Sequence, residues 1–174
     1  MKDAIRIVSL TSIGEREIRG LGAVLCDCVE GGASVSFMAP LTRERAEAFW
    51  AEAAQRLTRG ALLLLSAEDP AGRIVGTVQI VLDQPENQRH RADLAKMLVH
   101  RSARRSGVGA ALLAAAERAA SEAGRTLLVL DTASADAARL YARHGWQRCG
   151  EIPQFALWPD GRPCATTIFY KLLS

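Results

Sequence analysis

The stretch DLAKMLVHRSARRSGVGAALL, residues 93–113, contains the pattern from which the rest of the fold can be argued. Its apolar run at residues 94–99 predicts a strand, and the alanine-rich segment after the turn predicts a helix. Because the first N–H groups of a helix lack intrahelical partners and carry partial positive charge, such a turn predicts an anion site. Glycines would let the backbone approach a bulky phosphate, and arginines would add formal charge beside it. The candidate residues of the turn are Arg101, Arg104, Arg105, Gly107 and Gly109.

Two common phosphate motifs do not fit this turn. A P-loop requires Gly-Lys followed by Ser or Thr, whereas Gly109 is followed by Ala110. A dinucleotide-binding fingerprint requires Gly or Ala at its third place, which Leu112 occupies. Asp131 nevertheless lies about 20 residues beyond the glycines, where that fold has its ribose-binding acid. A nucleotide-binding domain therefore stays open as one alternative, and an ordinary solvated turn before a helix as another.

Two sequence motifs, in order along the chain, resemble those of one enzyme family. RRSGVG at residues 104–109 fits the pattern Arg/Gln-x-x-Gly-x-Gly/Ala at every specified position. Residues 134–146 fit Asn-x-x-Ala-x-x-Leu-Tyr-x-x-x-Gly-Phe, apart from Ser134 at the first place and Trp146 at the last. The first resembles the coenzyme A pyrophosphate motif of the GNAT N-acetyltransferases, and the second resembles another signature of that family. Further likeness to a toxin-resistance branch of the family lies at residues 31–38, 96–99, 130–132 and 159–162.

Length and composition exclude several other classes of protein. A chain of 174 residues, 49% apolar and 24% charged, is expected to form one soluble domain over residues 1–174. The net charge of +3 is spread along the chain and forms no basic stripe, so no nucleic acid is expected as a partner. No apolar run is long enough for a membrane span, and residues 1–4 show no signal-peptide pattern, so we expect a cytoplasmic protein. The four cysteines form no metal or redox motif.

Hydrophobic patterning predicts an α/β fold. The predicted order is strand, two helices, three strands, helix, strand, helix, two strands, in agreement with the GNAT fold that the resemblance implies. We expect a mixed central sheet of six to seven strands flanked by about four helices, because only the central strand–helix–strand unit must be parallel. The carboxyl ends of its two strands would then open onto one crevice, with Asp131 beside the glycine turn. The predicted strands are residues 4–10, 61–67, 74–82, 94–99, 126–130, 146–152 and 165–172.

The resemblance implies acetyl-CoA as the cofactor, held where the central strand and the next strand splay apart. Backbone groups of the central strand would bind the pantetheine arm, and an N–H near Leu98 would polarise the thioester carbonyl as an oxyanion donor. The pyrophosphate would lie on the glycine turn. The implied cofactor-binding residues are Met97, Leu98, Val99, Arg104, Arg105, Ser106, Gly107, Val108, Gly109, Ala110, Ser134 and Tyr141.

The acceptor is expected to be the amine of a small molecule, and an amine that is protonated at neutral pH must lose a proton before it attacks. Asp93, just ahead of the central strand, and Asp131, at the end of the next, are candidates for the base or for binding the ammonium group. Alternatively, Asp131 caps the following helix and Asp93 is an exposed carboxylate at the strand edge. Tyr141, at its motif position, is the candidate acid that protonates the leaving thiolate, and a core tyrosine is its alternative.

Residues 31–38 are expected to line the acceptor site, or else to form an ordinary loop between helices. Gly32, Ser34 and Phe37, with Asp93 and Asp131, are the candidate substrate-binding residues. The favoured function is transfer of the acetyl group to an amino-acid-like, toxin or antibiotic substrate, with no metal. A catalytically silent acyl-CoA-binding module is the alternative. A homodimer is a further expectation from the resemblance, because GNAT proteins often pair.

Overall fold

A computed structural model describes residues 5–174. Within this part of the chain, seven strands and four α-helices are joined by turns and two short 3₁₀ segments. The strands are β1 (Arg6–Leu10), β2 (Leu62–Glu68), β3 (Ile74–Val81), β4 (Arg91–Val99), β5 (Leu127–Thr132), β6 (Gln147–Leu157) and β7 (Pro163–Leu172). The helices are α1 (Glu15–Glu30), α2 (Arg43–Thr58), α3 (Val108–Glu122) and α4 (Ala135–Arg143).

The strands form one mixed sheet in the order β1-β2-β3-β4-β5-β7-β6. Among the strands of residues 5–174, only β4 and β5 run parallel, and α3 is the helix that connects them. This arrangement confirms the predicted α/β fold and its number of strands and helices. It excludes the doubly wound nucleotide-binding alternative, because that fold needs several parallel pairs.

Two strand boundaries differ from the prediction by three residues or more. β4 begins at Arg91, so Asp93 lies inside the strand and not ahead of it. β6 continues to Leu157, past the predicted end at residue 152, because a proline such as Pro153 is tolerated in a strand at the edge of a sheet. A register irregularity between Ile152 and Ala156 accommodates it. The first part of the predicted strand at residues 4–10 lies outside the described residues.

The sheet separates two apolar cores. On one face, α3 contributes Val108, Leu112 and Ala116 to a core that also contains Leu94 of β4 and Leu128 of β5. On the other face, α1 and α2 pack through a second set of buried residues: Leu21, Val24, Leu25, Trp50 and Leu98. Side chains alternate between the two faces of a sheet along each strand, so the core to which a strand residue belongs shows the face on which its side chain lies.

A β-bulge interrupts β4 at Lys96 and Met97. Thr77 of β3 pairs with Leu98, but Gln79 pairs with Ala95, so β4 has one residue more than β3 between these pairs. Lys96 has a positive φ of 49°, which is uncommon outside glycine. Leu94 and Met97 both pack on the α3 side, and Leu98 on the α1 and α2 side, so the extra residue shifts the alternation.

Candidate active site

A wedge-shaped opening separates β4 from β5. The two strands pair only through Arg91, Ala92 and Asp93, opposite Leu127, Leu128 and Val129. Beyond Asp93 the backbone of β4 remains paired with β3 on its other side. The last part of β4 therefore presents unpaired amide groups along one edge, which suits a ligand that itself carries amides, such as a pantetheine arm.

The direction of these amide groups bears on which N–H near Leu98 could be the predicted oxyanion donor. The His100 N–H donates to the Val75 carbonyl beside β3, with a separation of 2.8 Å. Backbone groups alternate in direction along a strand, so the N–H of Leu98, which is opposite Thr77, also points to β3. The N–H groups of Met97 and Val99 are the ones that point toward the opening.

The glycine turn ends at an uncapped helix. Gly107 precedes α3 with a φ of 89°, in the left-handed region that glycine adopts readily, and no side chain caps the helix. Among the described residues, the first backbone hydrogen bond of α3 is donated by the Ala111 N–H to the Gly107 carbonyl. The preceding N–H groups, of Val108, Gly109 and Ala110, are left for a ligand, which fits the predicted pyrophosphate site.

Gly109 also allows α3 and α4 to approach each other. A Cβ added at this position would lie 3.2 Å from Cδ2 of Leu140 on α4, closer than most real contacts of a Cβ. Leu140 is the residue before Tyr141. The same glycine therefore serves the phosphate turn and the position of the candidate acid.

Arg101 does not supply charge to the turn as predicted. Its backbone N–H and its Nε donate to the Asp27 carboxylate at 2.7 and 2.9 Å, and its guanidinium also pairs with Glu30. Burial would raise the pKa of the Asp27 carboxyl, but these hydrogen bonds and the nearby charges of Arg101 and His100 hold it below its ordinary value. Arg101 thus joins the turn to the end of α1.

The other two arginines of the turn are exposed and form no ion pair within residues 5–174. The Arg104 Nε donates to the Val99 carbonyl at 3.2 Å, which leaves the rest of its guanidinium free. Arg105 has a φ of 59°. The Ser106 hydroxyl donates to the Ala103 carbonyl at 2.6 Å and helps to close the turn. Arg104 and Arg105 are therefore the charged groups available to a phosphate.

Asp131 is not the cap of α4. The Ser134 hydroxyl accepts from the Ala137 N–H, and the Thr132 hydroxyl accepts from the Ser134 N–H, so two other side chains complete that helix start. The Ser134 oxygen is thereby engaged in capping. The Asp131 carboxylate instead accepts a hydrogen bond of 2.8 Å from the buried hydroxyl of Thr166 on β7 and is otherwise exposed at the end of β5.

Tyr141, on α4, has its ring in the core. The ring packs against Trp146 and Phe169, with centroids 5.7 and 5.8 Å apart, and the residue is 4% exposed. Its hydroxyl has no hydrogen-bond partner among the described residues. Burial, and to a lesser extent the negative charge of Asp131, raise the pKa of the Tyr141 phenol above its ordinary value. The group is therefore a protonated phenol throughout the neutral range.

Asp93 has different surroundings. Its carboxylate accepts from Gln84 Nε2 at 2.9 Å and from the Arg91 guanidinium at 2.5 Å. It lies where β4 and β5 are still paired, opposite Val129, and so at the closed end of the opening. Asp93 therefore has two polar side chains as partners, whereas within residues 5–174 the Asp131 carboxylate has only the Thr166 hydroxyl.

Lys96 is a functional candidate that the sequence reasoning missed. Its ammonium donates to the Ser36 hydroxyl at 3.1 Å and lies 5.5 Å from the ring centroid of Phe49. Burial lowers the pKa of this ammonium below its ordinary value, and the charge of Asp131 opposes part of the shift. A signal was present: Lys96 interrupts the otherwise apolar run at residues 94–99, in a chain that uses arginine for most of its 22 basic residues.

The loop at residues 31–38 is held against the β6–β7 hairpin. The Ser34 hydroxyl donates to the Leu157 carbonyl at 2.9 Å, and the Ala39 N–H donates to the Pro159 carbonyl at 3.1 Å. Phe37 packs edge-on against Phe49 with centroids 5.4 Å apart, so it belongs to the same wall as Lys96. Gly32 is exposed with a φ of 86°, at the turn that follows α1.

Residues 5–174 contain neither a cluster of metal-ligating side chains nor a membrane-spanning helix. No group of three or more His, Cys, Asp or Glu side chains is placed to hold a metal ion. None of the helices in this part of the chain is both long and apolar enough to span a membrane.

Comparison with known proteins bears on the family. Solved structures share the fold over nearly the whole chain. A ribosomal-protein-alanine N-acetyltransferase from Brucella melitensis is 26% identical, with 98% of this chain and 99% of that chain covered and a TM-score of 0.78. A phosphinothricin acetyltransferase from Sinorhizobium meliloti, in complex with AcCoA, is 18% identical, with 100% and 90% covered and a TM-score of 0.82. An N-acetyltransferase from Staphylococcus aureus is 16% identical, with 98% and 99% covered and a TM-score of 0.80.

A family model gives the assignment that these structures alone do not. The model of the acetyltransferase (GNAT) domain matches residues 59–148, just over half of the 174-residue chain. The match spans the opening between β4 and β5, the uncapped start of α3, Asp131 and Tyr141. The chain therefore belongs to the GNAT family of acetyltransferases.

Proposed function

We propose that this acetyl-CoA-dependent N-acetyltransferase transfers the acetyl group directly to the amine of a small molecule. One observation carries the proposal. The opening between β4 and β5 leads to the uncapped start of α3, Asp131 lies near the end of β5, and Tyr141 lies on α4, the helix that follows β5. The elements that border the donor site thus carry two groups able to move protons.

The chain's own residues suit acetyl-CoA. The exposed edge of β4 would bind the pantetheine amides through Met97 and Val99, and the N–H groups of Val108, Gly109 and Ala110 would bind the pyrophosphate, with Arg104 and Arg105 nearby. Bound there, acetyl-CoA supplies the acetyl group as a thioester. An N–H of β4 that points into the opening would stabilise negative charge on the carbonyl oxygen.

Proton transfer falls to Asp131 and Tyr141 in this proposal. Asp131 is exposed, with one hydrogen bond from Thr166, and would accept the proton of the acceptor ammonium directly or through a water. Tyr141 keeps its proton in the neutral range and would deliver it to the leaving sulfur. Asp93 stays a candidate for binding the ammonium, although its hydrogen bonds to Gln84 and Arg91 would have to be exchanged.

The class of acceptor is proposed from two kinds of likeness. Phosphinothricin acetyltransferases are among the structures that share the fold, and the loop at residues 31–38 resembles that of tabtoxin resistance protein, which acetylates tabtoxinine-β-lactam. Both names describe enzymes that act on amino-acid-like toxins. We therefore favour a toxin or antibiotic of this kind, with Phe37 forming part of its wall and Gly32 and Ser34 shaping the loop.

A second acceptor class is a protein N-terminus, because the relative from Brucella melitensis is described as a ribosomal-protein-alanine N-acetyltransferase. The contacts of the loop with the β6–β7 hairpin argue for a smaller acceptor, since Ser34 and Ala39 tie it down on the side of residues 157–159.

Two measurements test the proposal in sequence. Thermal unfolding with acetyl-CoA, against NAD and ATP, should show a shift with acetyl-CoA alone, since a ligand at about 100 times its Kd stabilises by roughly 2.7 kcal/mol. Thiol release would then be followed with phosphinothricin, with a peptide that begins with alanine, and with a simple diamine. Thermal stabilisation by acetyl-CoA without thiol release on any acceptor would favour a catalytically silent acyl-CoA-binding module. If acetyl-CoA does not stabilise the protein, the proposed donor site is wrong.

Two further expectations belong to this proposal. β6 is at the end of the sheet and exposes Ile152, Phe155 and Leu157, which supports pairing with a second copy along this edge. The dependence of the molecular mass in solution on protein concentration tests the homodimer. A cytoplasmic location agrees with four cysteines that are all free, and fractionation of expressing cells tests it.

A further inference from the structure

We propose that Lys96 binds a carboxylate of the acceptor, so that the enzyme acetylates the amine of α-amino acids in preference to amines without an acid group. This inference rests on the proposed function and specifies its substrate class. It concerns the side of β4 that faces α1 and α2, away from the core formed by α3.

Lys96 is a partly buried cation without an anionic partner in the part of the chain that the structure describes. Within residues 5–174 no carboxylate oxygen lies within 4.0 Å of its ammonium, whereas Lys171 pairs with Glu117 at 2.6 Å. The neighbours of Lys96 are the Ser36 hydroxyl and the ring of Phe49, which are neutral. Burial of a charged group without an opposite charge is unfavourable. A carboxylate of the ligand would supply the negative charge that the protein does not place beside the Lys96 ammonium.

Local structure directs the Lys96 side chain to this position. The bulge adds one residue to β4, and Lys96 adopts a positive φ within it. In a regular strand Ala95 and Lys96 would point to opposite faces. Bulges re-aim side chains in this way next to functional sites.

Asp131 is a second charged group on the strand next to that of Lys96. It lies near the end of β5, its charge opposes part of the lowering of the Lys96 pKa, and the two side chains do not form an ion pair within 4.0 Å. A zwitterionic amino acid carries an ammonium and a carboxylate separated by one carbon. Bound with its ammonium toward Asp131 and its carboxylate toward Lys96, it would pair both groups, whereas an amine without a carboxylate would leave Lys96 unpaired.

The experiment compares acceptors that differ only in the carboxylate. L-Phosphinothricin, L-glutamate and L-alanine would each be assayed beside the corresponding α-carboxamide by thiol release. Lys96→Met removes the charge, Lys96→Arg retains it, and Arg118→Met removes a charge from the exposed side of α3 as a matched control. Folding of each variant is checked by thermal unfolding and by its stabilisation with acetyl-CoA.

We expect the wild type and Arg118→Met to favour at least one acid over its amide by about tenfold or more in kcat/KM, mainly through KM, since a missing partner for a buried charge costs at least this much. Lys96→Met should lose the preference and Lys96→Arg should keep part of it. The amine of an α-carboxamide is less basic than that of the acid, so a larger fraction of it is unprotonated at neutral pH. This difference favours the amide, and it therefore cannot produce the expected preference for the acid.

Three outcomes would overturn the inference. The wild type could accept amides as well as acids, Lys96→Met could keep the preference, or Lys96→Met could lose activity on acids and amides alike, which would mark Lys96 as a proton acceptor. If acetyl-CoA stabilises the wild type but only the peptide or the diamine is acetylated, the amino-acid class fails while the acetyltransferase stands. If acetyl-CoA does not stabilise the protein, the proposed function itself fails.

Discussion

The two ends of the β4–β5 pair differ in how their polar groups are used. At the closed end the Asp93 carboxylate accepts hydrogen bonds from Gln84 and Arg91, and the two backbones pair with each other. At the open end Asp131 has one partner, Thr166, and the backbone of β4 faces an empty edge. Polar groups that are hydrogen-bonded within the protein hold the two strands together. Polar groups without a hydrogen-bond partner in the protein are the ones available to ligands.

The largest expected effect separates the two aspartates. Asp131→Asn should lower kcat by about 10² to 10⁴, the usual range for the loss of a general base, and Asp93→Asn by less than about tenfold. Rates would be measured over a pH series with saturating acetyl-CoA and one accepted amine. Unchanged pH profiles in both variants would contradict the assignment of either carboxylate as the base, and a larger loss in Asp93→Asn would reverse the comparison.

Tyr141→Phe sharpens the same comparison at the open end. The hydroxyl has no partner in the described protein, so its removal should leave stability nearly unchanged, whereas kcat should fall by about 10²-fold if it is the acid. Because the pKa of Tyr141 is raised, the phenol stays protonated, and an alkaline loss of wild-type activity due to Tyr141 should begin above the ordinary tyrosine pKa of about 10. A normal kcat in Tyr141→Phe would show that Tyr141 only packs in the core and is not the acid.

Asp27→Asn tests the ion pair between Asp27 and Arg101, whose groups are hydrogen-bonded to each other within the protein. Asp27 holds Arg101 by two hydrogen bonds, so its loss should lower the free energy of unfolding by about 1–3 kcal/mol. The folded-state pKa of Asp27 is lowered, so the wild-type advantage is present above its ordinary value of 3.8 and is lost as pH falls below that value. Glu30→Gln, at an exposed partner of Arg101, is the control and should cost less. Equal stability at pH 7 would show that Arg101 needs no anchor.

The smallest effect is expected for Arg105→Met, which removes an exposed charge from the turn. The Kd of acetyl-CoA should rise about three- to tenfold, with a weaker dependence on salt, because exposed ion pairs contribute little. Arg118→Met on α3 is the matched control and should leave the Kd unchanged. If both variants weaken binding equally, the turn attracts acetyl-CoA only through the overall charge of the protein.

The sequence predicted the parts of the fold that depend on local pattern. The strand, glycine turn and helix at residues 94–122, the order of elements and the mixed sheet are all confirmed, because alternation and helical spacing are local properties. The extension of β6 past Pro153 was missed, since its pairing partner on β7 lies beyond the intervening turn.

The site was less predictable for the same reason. Asp27 accepts hydrogen bonds from Arg101, which is 74 residues away in the sequence, and Asp131 accepts one from Thr166, which is 35 residues away. Sequence spacing could predict neither contact. The direction of the Leu98 N–H depends on register with β3, and Lys96 owes its position to a bulge that exists only in that pairing. The motifs located the donor site, whereas the acceptor side is formed by contacts between distant elements.

The bulge in β4 has a consequence for how chain length can vary here. Deleting Lys96 would leave Leu94, Ala95, Met97 and Leu98 in plain alternation, with Leu94 and Met97 still on the α3 side and Leu98 still on the other. Both cores would keep their side chains, and β3 and β4 would regain equal lengths between Thr77 and Gln79. A one-residue deletion, which elsewhere in a strand turns every later side chain to the wrong face, would at this position remove only the cation from the acceptor side.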